Sequence, residues 1–523
     1  MMVVNGYKVC YLITVMKKII NKDNLLIALS GILFLIFFAD STSPLYEFHY
    51  SSLDQDFFIT MGRAINAGRQ MYSDYFDIKG PLFFWLQALG QRLWNGKTGA
   101  FLLEVLFMLL DLILIKLILR EFTLKKWQNT SVYLLFYYML GSVLWNGNTI
   151  EEYSLPFTFL CLYLSVIFFK YNARRTLFPF IFGITFSICL FSKITVFAPV
   201  AAITLAIMIK CIADRQFLFL IKSAFMFIAG SLVISLPVVL YFYLGNTLDK
   251  MILWVFILAF QRAGSVQDYI DTITSQGLNP LSFRYWELFL IPNLVGILFT
   301  VYRCISALRS KEEKSSELPL GLLLLPISLA NGFVLHLGSR FDYYLIINAP
   351  LIVLLAIFTF KALNSNYDPA ASSLIKKISA GSVIFIIGLM LVIFAYSPLF
   401  VSSTAGKASQ INNPADYWVW EEFKEIRSHI PDEDSDDIFC GDYGIAFFCA
   451  QNLLPANELP YNSSYFYTIY PPAGAFITDI EKGKHKWLIH QNIDNTDSIT
   501  PIIEKRYDCI YTGKHFYLFK VKE

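Results

Sequence analysis

The sequence has little charge for its length. Only 16% of its 523 residues are Asp, Glu, Lys or Arg, whereas 56% are hydrophobic, and the mean hydropathy is +0.53. Soluble domains carry charge on about a quarter of their residues, so the composition excludes a soluble protein and predicts an integral protein of the lipid bilayer. The net charge of +2 is small, and no basic run alternates with aromatic residues, which excludes a nucleic-acid partner.

Cysteine carries little information. The eight cysteines are scattered and form no CxxC or Cys/His metal spacing. Cys440 and Cys449 could pair in an oxidising compartment, or both could be free buried thiols. A cleavable signal peptide is not evident either, because the apolar run 9–15 is short and lacks a small-residue cleavage site. Met16 is a plausible alternative start, and we expect the first span to remain as an anchor.

Long apolar runs dominate the first 400 residues. A helix needs about 20 apolar residues to cross the hydrocarbon, and this rule predicts about 11 transmembrane helices. They begin near Asn24, Gly99, Thr130, Tyr153, Leu177, Ile194, Phe217, Tyr285, Leu318, Phe341 and Ile378. The run 177–191 is short, and the run 217–244 is interrupted by Pro237.

Lys and Arg predict the orientation. Alternate loops are rich in these residues, so the amino terminus is predicted to be cytoplasmic, as in a multi-pass protein of the bacterial cytoplasmic (inner) membrane. The first extracytoplasmic loop, 41–97, and the acidic clusters then share the outer face. We therefore expect any chemistry at that face.

Polar residues return after residue 400. Helical periodicity over 417–430 and strand patterns over 437–440, 487–491, 507–512 and 516–521 predict a small α/β domain. The expected fold is thus an all-α polytopic membrane domain, 1–400, followed by an extracytoplasmic α/β domain, 401–523.

The first outer loop contains the strongest candidate site. Asp54 and Asp56 precede a predicted amphipathic helix over 57–67 that Gly68 would end. Carboxylates at a membrane boundary lose hydration, which favours a general base at one of them. Alternatively, Asp56 could be the N-cap of the helix.

Lys79 follows Asp74 and Asp77 and precedes Gly80-Pro81, where the chain turns back to the bilayer. An ammonium group there suits a phosphate at headgroup depth, although a single lysine could also snorkel at the interface. Asp77 is a candidate substrate ligand, or it could shape the loop through an Asx turn.

Further candidates lie on the same face. Lys193 and Arg340 could bind the same phosphate, or they could anchor the interface. Glu151 and Glu152 could bind acceptor hydroxyls or a divalent cation such as Mg or Mn, or they could simply favour a helix start.

The segment from SSLDQDFF to YSDYFDIKGP resembles the first outer loop of the GT-C glycosyltransferases, in the bacterial branch of protein mannosyltransferases and aminoarabinose transferases. GNTIEEYSLPF, FSKITVFAP and SRFDYYLIINAPL agree more weakly. The resemblance implies a GT-C-like fold, a polyprenyl-phosphate-linked sugar donor and an extracytoplasmic acceptor. By position, Asp54 matches the leading acid, a base or metal ligand in relatives, and Lys79 matches the lysine that binds the lipid phosphate. Phe57 departs from the arginine of the aminoarabinose transferases, which puts their particular substrates in doubt.

The predicted function is therefore an inverting glycosyltransferase of the cell envelope that modifies a glycan, lipid or protein. A transporter or flippase would need charges near mid-membrane and paired broken helices. Asp111 and Lys116 lie in an apolar stretch, but no paired half is visible. A membrane-anchored binding or sensory protein would leave the first outer loop without a role. A polysaccharide polymerase would share the site and stays an alternative.

Overall fold

The computed structural model describes residues 22–50, 53–144, 146–262, 290–309, 322–337, 342–364, 408, 414–440, 444–456, 475–491 and 500–523. Most of them are helical, and a single small sheet lies near the carboxyl end.

The described helices up to residue 262 follow one another with short connections. They are α1 (Lys22–Phe38), α2 (Leu53–Asn66), α3 (Pro81–Leu93), α4 (Lys97–Arg120), α5 (Lys126–Val143), α6 (Ile150–Tyr171), α7 (Leu177–Leu190), α8 (Ala198–Ala213), α9 (Phe217–Leu244) and α10 (Leu248–Ile252), which continues through Leu253–Leu258 and Ala259–Arg262. Three more follow: α11 (Ile291–Arg309), α12 (Leu324–Leu337) and α13 (Ala349–Asn364), the last preceded by a 3-10 turn, Asp342–Asn348.

Within the described ranges, three helical stretches are long and apolar enough to cross a membrane: Ile150–Tyr171, Phe217–Leu244 and Tyr343–Lys361. In α9 most side chains are exposed and apolar, for example Leu218, Phe225 and Leu244. A helix that is apolar all round but unburied needs lipid rather than water as its surroundings. The chain is therefore a membrane protein. The count of about 11 spans stays a prediction, and the span predicted near Ile378 lies outside the described residues.

The first outer loop folds as two short helices joined by a turn. Helix α2 begins at Leu53, earlier than the sequence predicts, so Asp54 and Asp56 lie in its first turn and Asp56 is not its N-cap. The backbone of Gly68 has a φ of 85°, in the left-handed region, which ends the helix as predicted. Pro81 then opens α3, where its missing N–H would be unpaired in any case.

The carboxyl-terminal domain has a four-stranded sheet. Its elements are α14 (Pro414–Ser428), β1 (Ile438–Cys440), α15 (Ile445–Gln451), α16 (Ala475–Lys482), β2 (Trp487–Gln491), α17 (Thr500–Arg506), β3 (Tyr507–Thr512) and β4 (Phe516–Val521). The strand order is β1-β2-β4-β3. Strand β1 pairs parallel with β2 (Phe439 with Leu488), and the other pairings are antiparallel. The sequence-predicted bounds of β2, β3 and β4 are confirmed.

The sheet is covered on both faces. Ile480 of α16 and Ile503 of α17 pack with Leu488 and Phe519 on one face. On the other face, Phe423 of α14 packs on Phe516, with tilted rings whose centroids lie 5.1 Å apart, and it also contacts Phe447 of α15. Helix α15 in turn belongs to the same hydrophobic cluster as the membrane-domain core. Alternating residues of each strand therefore face two different helix layers.

Helix α15 docks on α2 through Arg63. The guanidinium group donates to the backbone oxygens of Phe448 and Leu453 at 3.0 Å each, and to the side-chain oxygen of Asn452 at 3.0 Å. These acceptors surround the carboxyl end of α15, where a cation is favoured by the helix dipole. The α/β domain is thus held against the helix that carries Asp54 and Asp56.

Candidate functional site

Helix α2 separates its two acids onto different faces. Asp54 lies one turn before Phe58, so the two residues share a face, and the Phe58 ring lies 4.8 Å beneath the ammonium of Lys79. Asp56 is fully buried and lies beside Cys449 of α15. Asp54 and Lys79 therefore border the same side of α2, whereas Asp56 faces the α/β domain.

Cys449 is a free, buried thiol and is not in a disulfide with Cys440. Burial and the neighbouring Asp56 raise the pKa of Cys449 above its ordinary value. The thiol is therefore neutral and packs as a small apolar side chain between the α/β domain and α2.

Lys79 is buried and paired. Its Nζ lies 3.3 Å from Oδ2 of Asp77, and its backbone N–H donates to Oδ1 of Asp77 at 3.0 Å. The second bond is an Asx turn of the kind that the sequence predicts. The hydroxyl of Tyr72 donates to the carbonyl of Lys79 at 2.7 Å, which fixes the backbone at this residue.

Gly80 joins this turn to the turn between α7 and α8. Its N–H donates to the carbonyl of Ser192 at 2.7 Å, and the N–H of Leu82 donates to the carbonyl of Phe191 at 3.2 Å. A Cβ on Gly80 would stand 1.9 Å from the Phe191 oxygen, so only glycine allows this approach. Since Lys193 follows Ser192, the joint brings together the two chain segments that carry Lys79 and Lys193.

Lys193 forms a second ion pair, which is largely shielded from solvent. Its Nζ lies 2.5 Å from Oε1 of Glu151, in the first turn of α6. The same ammonium lies 3.9 Å from the ring centroid of Tyr344 and 5.3 Å from that of Tyr343. Aromatic faces stabilise a cation that has lost its water, so this lysine can keep its charge while buried.

Tyr343 lies near two acids of the site that belong to different helices, Asp54 of α2 and Glu151 of α6. Asp54 and Glu151 both lie close enough to interact electrostatically with its phenol, and its ring lies 4.7 Å from that of Tyr344. The candidate site therefore groups Asp54, Tyr343, Glu151 and Lys193. The contact of the Phe58 ring with the Lys79 ammonium adds Lys79 to this group. The two tyrosines lie in the SRFDYYL motif, but sequence reasoning did not assign them to the site.

One predicted site residue, Glu152, lies elsewhere. The carboxyl group of Glu152 interacts with Glu104 and Asp111 of α4 rather than with the two lysines. Glu104 is another residue that sequence reasoning missed, although a charge in an apolar run marks functional positions in membranes. Arg340 lies outside the described residues.

The described acids do not fit a resident Mg²⁺ or Mn²⁺ site. Glu151 and Asp77 each face an ammonium group at salt-bridge distance. No three His, Cys, Asp or Glu side chains of the described ranges converge on a point that could hold a metal ion. Hard divalent cations need several converging oxygen ligands, whereas Asp77 and Glu151 are each paired with a lysine ammonium group instead.

Two solved structures share the fold. One is a crystal structure of the Archaeoglobus fulgidus oligosaccharyltransferase in the apo form, at 15% identity and a TM-score of 0.53, which covers 95% of this chain and 74% of that chain. The other is ArnT from Cupriavidus metallidurans bound to undecaprenyl phosphate, at 11% identity and a TM-score of 0.55, covering 95% and 97%. Neither a protein-family model nor a curated protein sequence matches this chain. At such identities the likeness establishes the fold alone, and this is the membrane-protein fold that the sequence resemblance predicts.

Proposed function

We propose that the chain is an integral-membrane, inverting glycosyltransferase. It transfers a sugar from a polyprenyl-phosphate donor to an acceptor outside the cytoplasmic membrane, a glycan, lipid or protein of the cell envelope. The observation that supports this proposal is the joint at Gly80, which brings together the chain segments that carry Lys79 and Lys193. Tyr343, whose ring lies 5.3 Å from the Lys193 ammonium, also interacts with Asp54. The fold, shared with a transferase structure that contains undecaprenyl phosphate, supports the same conclusion.

The lysines serve the leaving phosphate. Lys79 and Lys193 each carry three N–H donors, so each can keep its carboxylate partner and still donate to a phosphate oxygen. Their aromatic and carboxylate neighbours hold them in place before the donor binds. Positive charge fixed where negative charge develops stabilises the transition state without reorganisation. Asp77 and Glu151 position the lysines, and Glu151 and Glu152 are weaker candidates for acceptor contacts.

Asp54 serves the acceptor. It takes the hydroxyl proton as the acceptor oxygen forms its bond to the anomeric carbon, while the bond from that carbon to the phosphate oxygen breaks and the electron pair leaves with the phosphate. Attack and departure occur on opposite faces of the sugar, so the configuration inverts. Asp56 remains the second candidate base, although its contact with the α/β domain gives it a positioning role first.

The test is transfer of labelled sugar from a polyprenyl phosphate by membranes that carry the wild type, Asp54→Asn, Asp56→Asn or Lys79→Ala. We expect Asp54→Asn to lower the rate by about 10²–10⁴-fold, the range for loss of a general base, and Lys79→Ala to weaken both donor binding and rate. Asp56→Asn distinguishes the two candidate bases, which lie on different faces of α2, and a larger loss of activity in Asp56→Asn than in Asp54→Asn would assign the base to Asp56. Full activity of Asp54→Asn and Lys79→Ala in properly inserted protein would refute the site, and wild-type membranes that never consume such donors would favour a polymerase or transporter.

A further inference from the structure

Glu104 is a fully buried carboxylate in the middle of an apolar helix, and its hydrogen bonds reach out of that helix. Its Oε1 accepts from the backbone N–H of Asn148 at 2.5 Å, and its Oε2 accepts from the hydroxyl of Thr42. Removing the Glu104 carboxyl group would leave the buried N–H of Asn148 without an acceptor, which costs free energy. Glu104 therefore fixes a backbone that belongs to the loop before α6.

That loop has a shape that needs outside support. Gly147 and Asn148 both have left-handed backbones, with φ of 81° and 51°. A Cβ on Gly147 would lie 2.4 Å from Oε1 of Glu104, so the loop backbone packs directly on the carboxylate. Among residues other than glycine, asparagine tolerates the left-handed region best, and the contacts around this loop keep Asn148 in that conformation.

The side chain of Asn148 completes the support. Gln87 of α3 donates to its Oδ1 at 2.8 Å, and the hydroxyl of Tyr153 donates to the same oxygen at 2.8 Å. Gln55 of α2 donates to the carbonyl of Gly147 at 3.0 Å. Helices α2, α3, α4 and α6 therefore meet at this loop, and Glu104 of α4 is hydrogen-bonded to its backbone at Asn148.

The loop leads into the first turn of α6. Thr149 accepts from the N–H of Glu152 as the N-cap, and Glu151 of the same turn pairs with Lys193. A shift of Asn148 would move Glu151 with it. We propose that Glu104 is a positioning residue of the phosphate site, acting through Asn148 and Glu151 on the ammonium of Lys193. This inference rests on the proposed function for its role in donor binding, but not for the structural linkage itself.

Three variants separate hydrogen bonding from charge. Glu104→Gln can still accept from the Asn148 N–H while its amide donates to Thr42. Glu104→Met keeps the volume and loses both bonds. Asp111→Asn is the matched control, because Asp111 is buried on the same helix and also interacts with Glu152.

Two measurements on the detergent-solubilised full chain do not depend on activity. The buried N–H of Asn148 is left unsatisfied in Glu104→Met, which predicts about ten- to hundred-fold faster amide exchange in its peptides covering 146–152. Labelling of Lys193 by an amine-reactive reagent should rise in parallel, because its partner Glu151 is displaced. Glu104→Gln should stay within a few-fold of the wild type in both, and Asp111→Asn should match the wild type.

The affinity for undecaprenyl phosphate is the third measurement, and it should fall in Glu104→Met and not in Asp111→Asn. Unchanged exchange and labelling in Glu104→Met would overturn the inference, and so would equal damage by Glu104→Gln or by Asp111→Asn. If Glu104→Met does not fold, Thr42→Val tests the same carboxylate with a smaller change and should show the same effects in the same order. A wild type that binds no undecaprenyl phosphate would refute the proposed function instead, while exchange and labelling still decide the role of Glu104.

Discussion

The amide of Gly80 donates to the carbonyl of Ser192 at 2.7 Å, and this bond, together with that from Leu82 to Phe191, joins the two chain segments that carry Lys79 and Lys193. Both segments are turns, and each turn is followed by a helix, α3 or α8. A Cβ at Gly80 would collide with the backbone oxygen of Phe191, which cannot rotate away as a side chain could.

We therefore expect Gly80→Ala to separate the two turns. Overpacking against backbone destabilises by about 1–3 kcal/mol, and sugar transfer should be lost together with affinity for undecaprenyl phosphate. Thermal unfolding in detergent and a binding assay measure the two effects. Gly68→Asn is the control, because that position is open and asparagine tolerates its left-handed backbone. Normal donor affinity in Gly80→Ala would show that the joint does not place the lysines.

The pair of Lys193 and Glu151 allows stability and binding to be separated. Removing one partner of a buried ion pair costs about 3–5 kcal/mol, because the other charge is left uncompensated. Lys193→Met and Glu151→Leu should each lower the free energy of unfolding by roughly that amount. The double variant should recover most of the stability, since an apolar pair of similar volume replaces the charges.

Sugar transfer should not recover in that double variant, because its phosphate site lacks one ammonium. Thermal unfolding gives the stability of each variant, and transfer of labelled sugar gives its activity. Restored transfer would mean that Lys193 has only a structural role.

Local patterns in the sequence predict much of this fold. The strands β2 to β4 are correct because alternating apolar residues and flanking turn residues depend only on neighbours in the chain. Helix α2 was predicted to start at residue 57 rather than at Leu53, and this difference decides the site: it puts Asp54 and Asp56 inside the helix, on different faces. Helix boundaries are set by capping contacts that a short polar segment leaves ambiguous.

The pairing of site residues could not be predicted in the same way. Lys193 and Glu151 were both candidates, but each lies at a different helix end, and only tertiary packing shows that they meet. The joint between Gly80 and Ser192 has no local signal beyond the glycine itself. Glu104 carried a signal, a charge within an apolar run, but its partner is the backbone of Asn148, which no side-chain pattern reveals.

The contact of Arg63 with Phe448 predicts how the α/β domain stays docked. Burial lowers the pKa of Arg63 without discharging it, because an arginine remains protonated in proteins. Arg63→Ala leaves three acceptors at the end of α15 unsatisfied, so amide exchange over 445–454 should rise about ten- to hundred-fold. Arg92→Ala is the control, since Arg92 is exposed on α3. Unchanged exchange in Arg63→Ala would mean that apolar packing alone docks the domain.

Two acids of the α/β domain predict opposite pH dependences of its stability. Burial raises the pKa of Glu422, although the backbone N–H groups of Phe516 and His515 donate to it. The favourable contribution of Glu422 to the free energy of unfolding is therefore present below its ordinary pKa of 4.5, and it is lost as pH rises through the raised pKa. As pH rises from 4.5 through the raised pKa, the stability of the wild type relative to Glu422→Gln should fall.

Asp434 behaves in the reverse sense. Hydrogen bonds from Lys486 at 2.8 Å and from the indole of Trp487 at 3.0 Å lower its pKa. Its contribution is present above the ordinary value of 3.8 and is lost as pH falls through the lowered pKa. The advantage of the wild type over Asp434→Asn should therefore shrink only in acid. Amide exchange of β2 as a function of pH measures the stability difference between the wild type and each variant. If both differences changed in the same direction with rising pH, these assignments would be contradicted.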